Sequence, residues 1–144
     1  EGSDSQAGQT NYDDLYADIL LWVKEKWIDY VAPQLYLEIG NARIDYAKLL
    51  DWWSKHAYGR HLYIGHGIYR AGTNAAWKNT DELPNQIKLL RRYPNVQGSI
   101  YFSSKSFVSN PNGCPALGQC DAVAPKALGP AQFDLQPLHR LKSA

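Results

Sequence analysis

The sequence contains no methionine, only two cysteines and no long apolar run. Because even position 1 lacks methionine, we expect a processed, excised or truncated chain from which any targeting segment has been lost. No apolar run approaches the ~18 residues of a membrane-spanning helix. The 15 basic and 14 acidic side chains nearly balance, which argues against a nucleic-acid-binding surface. These absences leave a globular domain of ordinary size.

The cysteines and the aromatic residues divide the chain. Cys114 and Cys120 are separated by five residues, a spacing that fits no common zinc-ligand pair, so we expect no metal. All five tryptophans and ten tyrosines precede Gly113. Residues 114–144 instead contain four prolines and six alanines with little periodicity. We therefore expect a folded segment, residues 1–113, and an irregular tail, which is a linker, a foreign extension or the product of a shifted reading frame.

Hydrophobic periodicity alternates between helical and strand-like spacing before Gly113. Helical spacing predicts helices over residues 11–26, 45–56 and 81–93. Short apolar segments bounded by turn residues predict strands over residues 28–38, 61–65 and 96–102. Pro33 lies inside the first strand, where we expect a bulge or an unpaired position. Since parallel strands need a crossover, which a helix supplies, the alternation predicts an α/β fold with about three parallel strands and flanking helices.

Three segments carry a resemblance to a known family. They are NYDDLYADILLWVKEKWIDYVAPQLYLEIG (residues 11–40), GRHLYIGHGIYR (59–70) and ELPNQIKLLRRYPNVQGSIYFSSKSF (82–107). Over roughly residues 1–113 the chain resembles the glycosyl-hydrolase-like family 10 of bacterial (β/α)8 barrels, and the P-Q-L-Y segment is the most specific piece. The resemblance implies a partial TIM barrel comprising strands six, seven and eight. Length agrees independently, because a whole barrel needs ~250 residues and three strand–helix units need roughly 100.

The resemblance also implies an activity. The family's proteins are taken to cleave glycosidic bonds, some of them in the glycan strands of peptidoglycan, which implies a bacterial, cell-wall-related and extracytoplasmic setting. The chain departs from the family in two respects. The pair of aspartates that ends the family's fourth strand has no counterpart here. Leu37 stands where a tryptophan usually follows the P-Q-L-Y motif, so a sugar-stacking indole is missing.

Glu38 is the candidate catalytic residue. In a parallel barrel, ligands bind at the C-terminal ends of the strands. Alternation along the first strand predicts Gln34, Tyr36 and Glu38 on one face, towards the site. A glycosidase needs two carboxylates, and Glu38 suits either role. The structural alternative is a solvated glutamate or an ion pair with Arg70. Since no second acid is predicted to complete the pair, we expect the chain to be inactive by itself.

Polar and aromatic side chains at the other two strand ends are candidates for substrate binding. Hydroxyl, imidazole and guanidinium groups can hydrogen-bond sugar hydroxyls, and an indole can stack on a sugar ring; an ordinary surface group, or a loop anchor for the indole, is the structural alternative. With Gln34 and Tyr36, the candidates are His66, Tyr69, Arg70, Trp77, Tyr101, Ser103 and Lys105. Gly65-His66-Gly67 is similar to a dinucleotide-binding turn, but Arg70 replaces its third glycine, so we expect no cofactor.

Three functional hypotheses follow. The first is part of a glycoside hydrolase acting on a bacterial or other polysaccharide glycan, with peptidoglycan as one candidate. The second is a non-catalytic carbohydrate-binding remnant. The third is a small, open α/β domain that binds a nucleotide or a protein partner. In each case three parallel strands leave two unpaired edges, so self-association is a further expectation.

Overall fold

The computed structural model describes residue 8 and residues 10–109. In chain order the elements are α1 (Ile19–Lys24), β1 (Tyr30–Val31), α2 (Tyr46–Lys55), β2 (His61–His66), a 3-10 turn (Ile68–Arg70), α3 (Ala75–Lys78), α4 (Glu82–Leu90), β3 (Val96–Tyr101) and α5 (Ser104–Ser109). The strands form one parallel sheet in the order β1-β2-β3. The predicted α/β class, with three parallel strands and flanking helices, is confirmed. The predicted tail lies outside the described residues.

The helices α2 and α4 form where periodicity predicts them. Asp45 caps α2, since its carboxylate accepts a hydrogen bond from the Ala47 N–H. Pro84 stands in the first turn of α4, where its missing N–H costs nothing. None of the helices between residues 10 and 109 is long and apolar enough to cross a bilayer.

The predicted first helix is wrong over its N-terminal half. Residues 11–15 form a turn, and Tyr16 adopts a positive φ of 51°. Thr10 Oγ1 accepts from the Asp13 N–H as a helix cap would. The Ala17 N–H, however, donates to the Asn11 carbonyl six residues back, which closes a turn in place of a helix. Asp18 instead caps the short α1 through the Leu21 N–H. Within the described part of the chain, Tyr12, Leu15 and Tyr16 stay exposed, so helical spacing alone does not sustain a helix there.

The first strand is shorter than predicted, as the proline suggested. Regular pairing with β2 covers only Tyr30–Val31, and a single bridge joins Gln34 to Gly65 further along. The Pro33 carbonyl accepts from the Gly65 N–H at 2.9 Å, and the Leu35 N–H donates to the Gly65 carbonyl at 3.0 Å. This ladder needs only the carbonyl of Pro33, so the missing proline N–H leaves no bond unmade.

One face of the sheet packs against the helices. Leu62 and Ile64 of β2 are fully buried together with Tyr46 and Leu50 of α2 and Leu90 of α4. Their apolar area removed from water is the main stabilising contribution of this fold. His66, two residues beyond Ile64, points to the same face and is equally buried.

The opposite face, which we call the open face, is uncovered within the described residues. Tyr30, Ile100 and Phe102 are 57%, 45% and 55% exposed. The Tyr30 and Tyr63 rings meet edge to face at 5.9 Å, which places them on the same side. Strand alternation therefore separates a helix-covered face from an apolar open face.

Candidate functional site

The C-terminal ends of the three strands meet at one edge of the sheet because the strands are parallel. The segment after β1 carries Glu38, the 3-10 turn after β2 carries Tyr69 and Arg70, and Phe102 follows β3. The short helix α3 brings Trp77 to the same edge. Asn74 caps this helix, because its side-chain oxygen accepts from the Trp77 N–H at 2.9 Å. The topology thus gathers side chains that are far apart in sequence.

Glu38 is a half-buried carboxylate with two side-chain donors. Asn41 Nδ2 donates to Oε1 at 2.9 Å and Trp77 Nε1 donates to Oε2 at 3.2 Å. Burial by itself raises the pKa of Glu38. The hydrogen bonds from Asn41, its own backbone and Trp77, together with the Arg70 charge, outweigh burial and lower the pKa below its ordinary value. Glu38 is therefore ionised at neutral pH.

Three aromatic rings lie at the same sheet edge as Glu38, and we call Tyr36, Tyr69 and Phe102 the aromatic cluster. The Tyr36 and Phe102 rings stack with centroids 5.9 Å apart, and the Tyr69 ring meets each of them edge to face at 5.9 and 6.0 Å. Burial, and then the neighbouring Tyr69, raise the pKa of Tyr36, so its hydroxyl stays neutral. The Arg70 guanidinium lies 5.5 Å from the centre of the Tyr69 ring. Each strand end supplies one ring.

Two glycines provide the space for Tyr36. A Cβ added to Gly67 would lie 2.9 Å from the Tyr36 Cβ, and one added to Gly65 would lie 3.3 Å from the Tyr36 ring. The Tyr36 side chain therefore packs directly on the backbone at the end of β2. This contact explains why residues 65 and 67 are both glycine. The His66 side chain between them points to the opposite, helix-covered face.

His66 is fully buried on the helix-covered face. Its Nδ1 lies 3.1 Å from Gln86 Oε1 and its Nε2 lies 3.0 Å from Ser99 Oγ. Burial lowers the pKa of His66 to about 4, against a smaller opposing effect of Gln86, so the imidazole is neutral at pH 7. In this structure His66 is inaccessible to a substrate, so the structure does not support a binding role for it.

The remaining predicted substrate-binding residues lie in different surroundings. Gln34 is exposed on the edge strand. Tyr101 lies on the helix-covered face, where its ring stacks on His66 at 5.4 Å and packs against a small apolar cluster of Ile68, Leu83 and Ile87. Ser103 precedes α5 and accepts from the Ser106 N–H, and Lys105 is exposed within that helix. Trp77 is only 2% exposed, so it offers Glu38 an N–H and offers solvent little of its ring.

Asn41, which donates to Glu38, was not predicted from the sequence, and neither were Phe102, Glu82 and Gln86. Phe102 shares the open face with Ile100, and alternation along β3 is the signal that could have found it. Glu82 and Gln86 are polar residues buried on the apolar side of α4. A polar pair spaced by four on the buried face of a helix is the signal for a structural hydrogen-bond network. Within residues 10–109, no three His, Cys, Asp or Glu side chains are grouped to hold a metal ion.

The comparisons with known proteins agree with this architecture. Residues 3–82 match the family described as Glycosyl hydrolase-like 10. The chain belongs to this family. The match covers the segments bearing Glu38, Tyr36, Tyr69 and Trp77, and it confirms the resemblance expected from the sequence.

Curated relatives give the scale of the match. The chain is 42% identical to Glycosyl hydrolase YngK of Bacillus subtilis (strain 168) over 133 residues, which is 90% of the chain. It is 34% identical to Glycosyl hydrolase DigH of Escherichia coli (strain K12) over 111 residues, which is 70% of the chain. The chain spans about a quarter of the length of these relatives, 26% and 25% respectively. Family membership supports a role related to glycoside hydrolysis.

We expect Gly67→Ala to displace Tyr36 and to destabilise the chain. A Cβ only 2.9 Å from the Tyr36 Cβ forces a shift, and overpacking of this kind costs about 1–3 kcal/mol. Urea unfolding followed by tryptophan fluorescence measures the loss. Gly98→Ala is the matched control, because its nearest side-chain atom lies at an ordinary 3.7 Å. Equal losses in the two variants would contradict the packing of Tyr36 on Gly67.

We expect the free energy of unfolding to fall as pH is lowered from 6.5 to about 4. The folded state keeps His66 neutral in this window, whereas the unfolded chain protonates it, so protons favour unfolding. The contribution reaches at most about 1.4 kcal/mol per pH unit. Urea unfolding at several pH values across the window measures it.

The control for this pH dependence uses two histidines of β2. His66→Gln removes the buried imidazole and should remove its part of the slope. His61→Gln changes an exposed residue at the start of the same strand and leaves His66 in place, so the slope should persist. A folded His66→Gln variant with the native slope would show that other groups cause it.

Proposed function

We propose that this chain forms one wall of the glycan cleft of a glycoside hydrolase, with β1, β2 and β3 as strands six to eight of a (β/α)8 barrel. The observation that carries the proposal is that an ionised, partly accessible carboxylate and an aromatic cluster with two exposed rings share one sheet edge. Both lie at the C-terminal ends of parallel strands, where barrels bind their ligands.

The state of Glu38 favours one of the two carboxylate roles in glycoside cleavage. A general acid must keep its proton near neutral pH, and enzymes achieve this by raising the pKa of the carboxyl group. The pKa of Glu38 is lowered instead. Glu38 therefore suits the nucleophile or the base, and the acid partner would come from another part of the barrel.

The aromatic cluster suits the apolar face of a sugar ring. Phe102 and Tyr69 are 55% and 44% exposed, so part of each side chain faces solvent at the sheet edge that carries Glu38. A pyranose stacked there gains apolar burial. The Arg70 guanidinium lies near both Tyr69 and Glu38, within the region where hydroxyls of the sugar would need hydrogen-bond donors.

The exposed apolar side chains of the open face support the proposal that the chain is part of a closed barrel. Its aromatic and aliphatic side chains are uncovered within residues 10–109, whereas in a closed barrel such interior residues are packed in layers. Five further strands would cover this face and would also pair the sheet edges. By family likeness we propose an extracytoplasmic setting and a bacterial cell-wall glycan, such as the glycan strands of peptidoglycan, as the substrate.

Non-catalytic glycan binding is the second candidate. It is favoured by the aromatic cluster, which is complete within the described residues. Glu82, which contacts the backbone next to Glu38, is buried and hydrogen-bonded to the Ile39 N–H. Such a remnant would hold glycan through Phe102 and Tyr69 without cleaving it.

Glu38→Gln tests the catalytic proposal in a protein that contains the other barrel strands, made by exchanging residues 1–113 into a full-length relative. The amide cannot act as nucleophile or base, so we expect the turnover number to fall by roughly 10²-fold or more. Release of reducing ends from peptidoglycan glycan strands measures turnover.

Glu25→Gln, an exposed residue at the end of α1, is the matched control and should leave turnover unchanged. Native turnover in Glu38→Gln would remove Glu38 from the reaction. Glycan binding by the native protein without any reducing-end release would favour the binding remnant over the hydrolase.

A further inference from the structure

The backbone on both sides of Glu38 is held by helix α4. Gln86 Nε2 donates to the Leu37 carbonyl at 3.1 Å, and the Ile39 N–H donates to Glu82 Oε1 at 2.8 Å. Glu82 and Gln86 are one helical turn apart, and Gln86 Nε2 also donates to Glu82 Oε1 at 2.9 Å. The residues before and after Glu38 are thus bound to the same pair of side chains.

The orientation of the Gln86 amide is determined by its partners. Both bonds of its nitrogen go to oxygen atoms that can only accept in this arrangement, the Leu37 carbonyl and the Glu82 carboxylate. The amide oxygen therefore faces His66 and accepts from Nδ1–H, which fixes the proton of the neutral imidazole on Nδ1. The other ring nitrogen then accepts from the Ser99 hydroxyl at 3.0 Å.

This network connects the three strand ends through the protein interior. Gln86 is fully buried and Glu82 is 8% exposed. Ser99 belongs to β3 and His66 to β2, and the Tyr46 ring of α2 stacks on His66 at 5.8 Å. Because a buried polar group without a partner is costly, each member restricts the next.

We propose that Glu82 and Gln86 are positioning residues for Glu38, which keep its carboxylate on its donors by holding the flanking backbone. The carboxylate takes hydrogen bonds from Asn41 and Trp77 only while the chain around it keeps its path. The role of Glu38 as the site carboxylate rests on the proposed function. The holding of its backbone does not, and the two are tested by different measurements.

Glu82→Ala tests the proposal in the 144-residue chain. We expect the pKa of Glu38 to rise towards its ordinary value, because the Ile39 N–H loses its acceptor and the donors of Glu38 lose their alignment. The charged groups around Glu38 include Arg70, which is unchanged, and Glu82 itself, which binds the next residue, Ile39. Loss of the Glu82 charge alone would lower the pKa of Glu38, so the direction separates positioning from simple electrostatics. Carboxyl ¹³C NMR titration measures it, with the Glu38 signal assigned by its loss in Glu38→Gln.

Glu82→Gln is the conservative control. Its amide oxygen can still accept from the Ile39 N–H, so the pKa of Glu38 should stay as in the native chain or fall. A folded Glu82→Ala variant in which the pKa of Glu38 falls or stays unchanged overturns the proposal. Because this measurement needs no glycan, a failed positioning test and a failed hydrolysis test are distinguishable.

A second variant covers the case in which Glu82→Ala does not fold. Gln86→Met keeps the size and the charge but removes the donor to Leu37, and it should also raise the pKa of Glu38. Asn85→Met, on the exposed side of the same helix, should not. If neither buried variant folds, hydrogen exchange of the native chain decides. Protection of the Ile39 N–H supports the proposal, and exchange as fast as in an exposed turn overturns it.

Discussion

The amide of Gln86 is the constraint on which the rest of the site depends. It is buried, so each of its polar atoms needs a partner, and those partners belong to three different segments. The Leu37 carbonyl, the Glu82 carboxylate and the His66 imidazole can all be satisfied in only one orientation of the amide. By our proposal, Glu82 and Gln86 hold the path of the chain through Glu38, and the hydrogen bonds that lower the pKa of Glu38 depend on that path.

Strand alternation separates the structural side of the site from its accessible side. His66 and Tyr101 point to the helices, where their rings stack on one another. Gly65 and Gly67, on either side of His66, leave room for Tyr36 to lie across the backbone. The same short segment thus supplies a buried imidazole to the network and a flat support to the aromatic cluster.

Local sequence patterns predicted the elements whose apolar residues find a partner. Helices α2 and α4 and strands β2 and β3 follow their periodicity because one face of each is buried. The predicted helix over residues 11–26 is wrong because its first half has no such partner and Asp18 supplies a later cap. Glu38 was selected from its strand position, and the structure gives it donors. Residues such as Glu82 and Phe102 escaped selection because their contacts join segments far apart in sequence, and His66 was selected without regard to which face it occupies.

The central proposal is that Glu38 and the aromatic cluster face a glycan. Chemical-shift mapping by NMR, with the 144-residue chain and an oligosaccharide of the peptidoglycan glycan strand, tests this most directly. We expect the largest changes at the Trp77 indole N–H, which is hydrogen-bonded to Glu38, and at the rings of Tyr36, Tyr69 and Phe102. Changes confined to the outer surfaces of α1 and α2, or no changes at any glycan concentration, would contradict it.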